Sequence, residues 1–272
     1  MLNPIEGEIF VIDKPLRWTS FEVVKKIRAR LHQHLDMKHL RVGHAGTLDP
    51  LATGVLIVCT GRATKRIEQL QAGVKEYIAD IRLGETTPSF DLETPVDATF
   101  PWQHISRDMI EQVLNDNFIG SIEQVPPAFS ACKIDGKPAY KLARRGQEVN
   151  IRPKTLVIDR IEILDCGLPQ QPTLRIAVTC SKGTYIRALA RDIGQALNSG
   201  AHLTALRRTR VGDITINNAE HINALISRLD DEQYVMPDAA EQQRIEAERI
   251  ANKARAAAIK ARNKQRNSKH DI

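Results

Sequence analysis

The spacing of apolar and polar residues changes several times along the chain, and each change marks an expected element. Glu8 to Asp13 is an apolar run closed by Lys14 and Pro15. Thr19 and Glu22 fit a capping box, after which Val23, Val24, Ile27 and Leu31 recur on one helical face. Val55 to Cys59, bounded by Gly54 and Gly61, is short and wholly apolar, the pattern of a strand covered on both sides. From Tyr77 the period is two, with Tyr77, Ala79, Ile81 and Leu83 facing one way and Glu76, Asp80 and Arg82 the other, as in a strand with one exposed face. Ser106 to Phe118 predicts a helix stopped at Gly120. Leu174, Ile176, Val178 and Cys180 alternate as a strand, Ser181 to Gly183 make a turn, and Ile186, Leu189, Ala190, Ile193 and Leu197 return to helical spacing. Strand, turn and helix therefore meet beside Arg187.

Strands and helices interleave without the even alternation of parallel βαβ units, so the class is α+β. After about residue 225 the strand signals stop, and Ala-rich, charged sequence with good helix propensity runs to the end. The expected division is one domain over residues 1–225 and a basic, helical extension over 226–272. No internal repeat is visible.

At 272 residues, 42% hydrophobic and 26% charged, the chain can bury a substantial core without staples. The four cysteines, Cys59, Cys132, Cys166 and Cys180, are widely spaced, which fits free thiols in a reducing compartment, and a cytoplasmic location is expected. No segment has the run of about 18 apolar residues that crosses a membrane, and no targeting segment is recognised.

The net charge of +6 is concentrated at one end. From Arg249 onward eight Lys or Arg face one acid, Asp271, a local +7, which leaves residues 1–248 at −1. A nearly neutral body attracts a polyanion only through local patches or through this tail, because phosphate neutralisation supplies much of nucleic-acid affinity. A solvated helix is the competing reading of the same charges.

The stretch RVGHAGTLDPLATGVLIVCTGRATK, residues 41–65, sets one histidine and one carboxylate among glycines. Pro50 holds Asp49 in extended backbone and so out of a helix, on a loop able to fix a carboxylate. By residue type alone, an Asp-Pro pair in such a loop is a turn, Tyr77 is a core tyrosine, and Arg187 is a surface helix residue beside Asp192.

The same stretch resembles the signature GHxGTLDPxAxGxL of the TruB family of tRNA pseudouridine synthases. Four further blocks resemble that family in its order: KEYIADIRLG (75–84), VPPAFSACKIDGKPAYKLAR (125–144), CSKGTYIRALARDIG (180–194) and LTALRRTRVG (203–212). The resemblance implies a mixed, largely antiparallel central sheet flanked by helices. It makes Asp49 the catalytic aspartate, Tyr77 the aromatic that stacks on the target uracil, and Arg187 the cation paired with Asp49. His44 is implied to stand near the RNA backbone where the target nucleotide leaves its stack, and Tyr185 and Leu206 to line the uridine pocket. Arg187 would hold Asp49 ionised. The implied substrate is the uridine at position 55 in the T arm of tRNA, and a monomer is expected.

The implied reaction detaches uracil from its ribose, turns it and rejoins it through carbon, so neither cofactor nor metal is called for. His32, His34, His39 and His44 with Asp36 lack strong ligand spacing. The sequence departs from the family at three places. Arg17 stands where glycine is usual, Thr94 replaces a glycine after Asp91, and the helical tail stands where many members carry a small PUA-type β domain. Two alternatives remain: an enzyme that modifies ribosomal RNA within a guide-RNA complex, and a non-catalytic RNA-binding protein.

Overall fold

The computed structural model describes residues 1–37, 39–130, 132–134, 137–143, 147 and 149–267. The first half carries β1 (Ile9–Lys14), α1 (Ser20–Leu35), β2 (Val42–Ala45), β3 (Ala52–Thr60), α2 (Ile67–Ala72), β4 (Lys75–Leu83), β5 (Glu85–Thr86), β6 (Ala98–Thr99) and α3 (Arg107–Phe118). The second half carries β7 (Gly120–Gln124), β8 (Lys133–Ile134), β9 (Lys137–Pro138), α4 (Ala139–Ala143), β10 (Lys154–Cys166), β11 (Thr173–Cys180), α5 (Ile186–Ala196), β12 (Ala201–Val211), β13 (Ile214–Thr215), β14 (Glu220–His221), α6 (Ile222–Asp231) and α7 (Ala239–Asn267). Part of the 125–144 block, residues 131, 135, 136 and 144, lies outside the described residues.

One sheet organises the molecule in the order β14-β1-β3-β12-β4-β11-β10-β7, with β2 added to β3 and β13 to β12. Its pairings are antiparallel except β1 with β14 and β12 with β3, so the sheet is mixed and largely antiparallel, as expected. Each half of the sheet has its own core. Over β4, β11 and β10 the apolar faces of α3 and α5 close on Ile81, Leu83, Ile176 and Val178. Over β1 and β3, α1 packs Val23, Val24, Ile27 and Leu31 against Phe10, Ile12, Leu56 and Val58, and α6 adds Ile222, Leu225 and Leu229. The helix α1 begins where the capping box placed it, with Thr19 and Glu22 closing both bonds.

Strands β3 and β12 meet where the two halves join. They approach so closely at Gly54, which has φ +101°, that a Cβ there would lie 2.1 Å from the Arg208 carbonyl oxygen. Only glycine fits. Among the described residues no helix is long and apolar enough to cross a membrane.

Candidate active site

Asp49 lies on the loop between β2 and β3, and three anchors hold that loop. Ser20, at the start of α1, donates from Oγ to the Leu48 carbonyl at 3.0 Å and accepts from Leu48 N–H at 2.9 Å. Arg17 N–H donates to the Pro50 carbonyl at 2.8 Å. Lys14, with no solvent exposure, directs its ammonium at the carbonyls of Pro15 (2.9 Å), Trp18 and Pro50 (3.4 Å). Arg17 has φ +66°, so the turn keeps the backbone conformation that glycine favours, and arginine adopts it under strain.

Arg187 approaches from the other half of the sheet, in the first turn of α5. It is 4% exposed, not the surface residue that its helix pattern alone suggests, and Asp192 pairs with Arg191 instead. Its Nη2 stands 2.9 Å from Asp49 Oδ2 and its Nε 3.6 Å from Asp91 Oδ2. Nη1 and Nη2 donate to the carbonyls of Ser89 and Phe129, each at 3.0 Å. A helix N-terminus is the positive end of its dipole, so a buried guanidinium there needs facing carboxylates, and Asp49 and Asp91 supply them. Thr94, where the family carries glycine, shares a hydroxyl hydrogen bond of 2.8 Å with Ser89 and so closes the loop that carries Asp91 and the Ser89 carbonyl. The departure strengthens this loop.

Asp49 opens into a cleft of about 550 Å³ lined also by Tyr77, Tyr185, Arg187 and Leu206. Five of the six expected site residues thus share one cleft. His44 does not line it. It lies on β2 opposite Val58, near enough to Arg208 to feel its charge, with a buried Nδ1 that has no hydrogen-bond partner. Burial, with Arg208 adding to it, lowers the His44 pKa and favours the neutral ring. Tyr77 pairs with Val178 on one side and Arg208 on the other, and burial raises its phenol pKa. Tyr185 is fixed through its backbone by the buried Gln124 side chain, which accepts from its N–H at 2.9 Å and donates to its carbonyl at 3.2 Å.

Opposing influences act on Asp49, and Arg187 acts in the direction expected of it. The Asp49 pKa is raised: burial in the cleft is the largest cause, Arg187 opposes it, and the Asp91 charge adds to the rise. Arg187 alone does not set Asp49 at the acid end of the carboxylate range. A carboxylate held above its ordinary range is a better proton acceptor when ionised.

Sequence reasoning missed four contributors. Arg208, 2% exposed, donates from Nε to the Val55 carbonyl at 2.8 Å and from Nη2 to the Gly46 carbonyl at 3.1 Å, bracing the Asp49 loop from beneath. Lys75 and Lys14 are the other buried cations near the cleft, and Gln124 is the clamp on Tyr185. The apolar and polar pattern gives none of them a role, because Lys and Arg in a strand pattern read as its wet face, although Lys75 and Arg208 fall within blocks that resemble the family. Lys75, Lys154, Lys182, Arg187 and Arg208 line the cleft against the one acid Asp49. Such a surface attracts a polyanion, and the aromatic rings of Tyr77 and Tyr185 offer faces to a base. Among the described residues no group of three or more His, Cys, Asp or Glu is placed to hold a metal ion.

The model of the TruB family pseudouridylate synthase N-terminal domain matches residues 32–186, and that of the tRNA pseudouridylate synthase B C-terminal domain matches 187–245. Proteins named tRNA pseudouridine synthase B are similar over most of their length. The one from Phocaeicola vulgatus is 59% identical over 85% of this chain and 97% of its own. That of Flavobacterium johnsoniae is 48% identical over 79% of this chain and 93% of its own. Among solved structures, a chain of a Cbf5-Nop10-Gar1 complex superposes with a TM-score of 0.61 at 29% identity, over 85% of this chain and 58% of that one.

Proposed function

The chain belongs to the TruB family of pseudouridylate synthases, and from that premise we propose that it isomerises the uridine at position 55 in the T arm of tRNA, with Asp49 as the carboxylate on which turnover depends. It is an isomerase acting on tRNA, as its relatives' shared name states for them. The observation that carries the roles of the residues is the 2.9 Å pair of Asp49 and Arg187 at the head of a cationic cleft flanked by two tyrosines.

The uridine must leave its stack to reach Asp49, at a cost of a few kcal/mol. Tyr77 receives the extruded base on its ring face, and Tyr185 and Leu206 enclose the base beside it. Lys154 and Lys182 take phosphates at the rim, and buried Lys75 adds its charge to the cleft from within. His44, kept neutral by burial, stands behind the loop toward the backbone of the flipped nucleotide. Arg187 orients the Asp49 carboxylate and bears part of its charge, while Asp91 keeps that pairing from being so strong that Asp49 loses its basicity. Attack on the sugar, attack on the base and removal of a sugar proton all require the Asp49 carboxylate. The cleft holds the detached uracil until it rejoins through carbon, so nothing is consumed. We further assign catalysis to residues 1–225 and an accessory role to 226–272, with the protein acting as a cytoplasmic monomer.

The test is incubation with an unmodified tRNA transcript, followed by chemical mapping of pseudouridine, with Asp49→Asn run in parallel. Wild type is expected to modify position 55, and the variant to lose turnover by about a thousandfold or more while keeping its affinity for tRNA. Binding without modification by either protein would replace the isomerase reading with that of an RNA-binding protein.

A further inference from the structure

The charge of α7 is segregated along its length. Its first ten residues, 239–248, carry Glu241, Glu246 and Glu248, and these tie the helix to the body. Glu248 pairs with Arg41 at 2.6 Å, Glu246 lies 3.7 Å from His39, and Glu241 lies 4.0 Å from Arg62. Ile245 packs against the core beneath α1. From residue 249 to 267 the helix holds seven Lys or Arg and no acid. Like charges at helical spacing repel, and no carboxylate of the same segment relieves them. Such a segment is stabilised when an external polyanion supplies the counter-charge.

We propose that residues 249–267 form an RNA-backbone arm, a second binding surface for phosphates of the substrate away from the catalytic cleft. The proposal rests on RNA being the substrate. Nineteen residues of helix extend roughly 28 Å, long enough to follow several phosphates. With residues 1–248 at a net −1, the arm also supplies the chain's long-range attraction for a polyanion. Where α7 leaves the body, a groove of about 480 Å³ lined by Arg41, Arg62, Lys65, Arg244 and Arg249, and by Glu248, lies beside the start of the arm, and it shares no lining residue with the cleft at Asp49. The occupant is a nucleic acid and not a lipid surface or a partner helix. The two large apolar residues of the segment, Ile250 and Ile259, lie nine positions apart, about 180° around the helix, and form no apolar face.

The experiment uses the full-length chain with Lys253, Arg255, Lys260, Arg262, Lys264 and Arg266 all changed to Gln, which keeps helix propensity and the glutamate tethers. Binding of an unmodified tRNA transcript is titrated at several salt concentrations, with circular dichroism as the check on helix content. The expected result is at least tenfold weaker binding near 0.1 M salt. The plot of log affinity against log salt should flatten by about 0.7 to 0.9 for each phosphate that the arm no longer neutralises, while kcat at saturating tRNA stays within twofold. A companion variant with Lys and Arg interchanged at the same six positions retains the charge and is expected to retain the slope. A Gln variant with wild-type affinity and slope, or an interchanged variant that loses them, overturns the arm. Pseudouridine mapping on the wild type keeps the two questions apart. If the slope flattens yet no pseudouridine forms, the enzymatic reading has failed and the arm stands.

Discussion

Cations at the cleft and cations at the α7 side of the molecule are satisfied in opposite ways. Around Asp49, Lys14 and Arg208 are buried and donate to backbone carbonyls, and buried Lys75 does the same toward Gln71 and Gly73. Arg187 takes two carbonyls before it meets a carboxylate. On the α7 side the partners of Arg41, Arg62, Arg244 and Arg249 include glutamates at the surface. A carbonyl satisfies hydrogen bonds without cancelling a full charge, whereas a carboxylate does both. The cleft therefore keeps a positive field for RNA even though its cations are buried and fixed. The proximal part of α7 is neutralised, whereas the sequence of its distal part, residues 249–267, holds seven Lys or Arg and no acid.

The most severe way to break this arrangement away from Asp49 itself is Arg208→Met. It removes the donor from the Val55 and Gly46 carbonyls, and an unsatisfied buried carbonyl costs about 1–3 kcal/mol. A loss of roughly 3 kcal/mol in denaturant-induced unfolding is expected. Turnover should fall with it, because the Asp49 loop rests on this side chain. Unchanged stability would mean that water replaces the guanidinium, and the bracing argument would then fail.

Arg208 also marks where the sequence stops being legible. Strand β12 pairs with β4 through two irregularities, between Leu203 and Ala205 and between Arg208 and Arg210. Each shifts the inward-facing parity by one residue, so Ala201 and Leu203, then Leu206 and Arg208, then Val211 face in without any sustained alternation. Strand β10 hides likewise, with Leu156 and Ile158 inward before a bulge and Ile161 and Ile163 after it. Regular elements such as β3, β4, α1, α3 and α5 were readable because their periods run unbroken. For the site, the pattern brought strand, turn and helix together at Arg187, but only the family resemblance distinguished Asp49 from a turn residue. The roles of the carbonyl-bound cations Lys14, Lys75 and Arg208 were not readable, since their partners are backbone atoms brought near only by the fold.

A milder probe of the same contrast is pH. Burial lowers the Lys14 pKa from 10.5 to about 8, with the Asp49 charge opposing the shift. Between pH 8 and 10.5 the unfolded chain therefore binds more protons at this residue than the folded one. That makes the contribution of Lys14 to stability rise with pH across the window. Below pH 8 the lysine is charged in both states and the full cost of burying it is present. Other groups titrate here too, Cys180 with its thiol pushed up to about 11 acting in the opposite sense, so the quantity to measure is the difference between wild type and Lys14→Met. That difference should move by ~2 kcal/mol in favour of wild type from pH 8 to 10.5. A flat difference would place the ammonium in a better solvated setting than its three carbonyls suggest.

The smallest effect belongs to the exposed side of the comparison. Arg41 and Glu248 are 42% and 54% exposed, so their 2.6 Å pair is screened by water and salt. Arg41→Gln is expected to change unfolding stability by less than about 1 kcal/mol and to leave turnover at saturating tRNA unchanged. The variant should weaken tRNA binding slightly, because Arg41 also lines the groove from which the arm departs. If Arg41→Gln instead destabilised the protein as much as Arg208→Met, the α7 ion pairs would be holding the fold together. The division between fixed cations at the cleft and tethering cations at the tail would then be wrong.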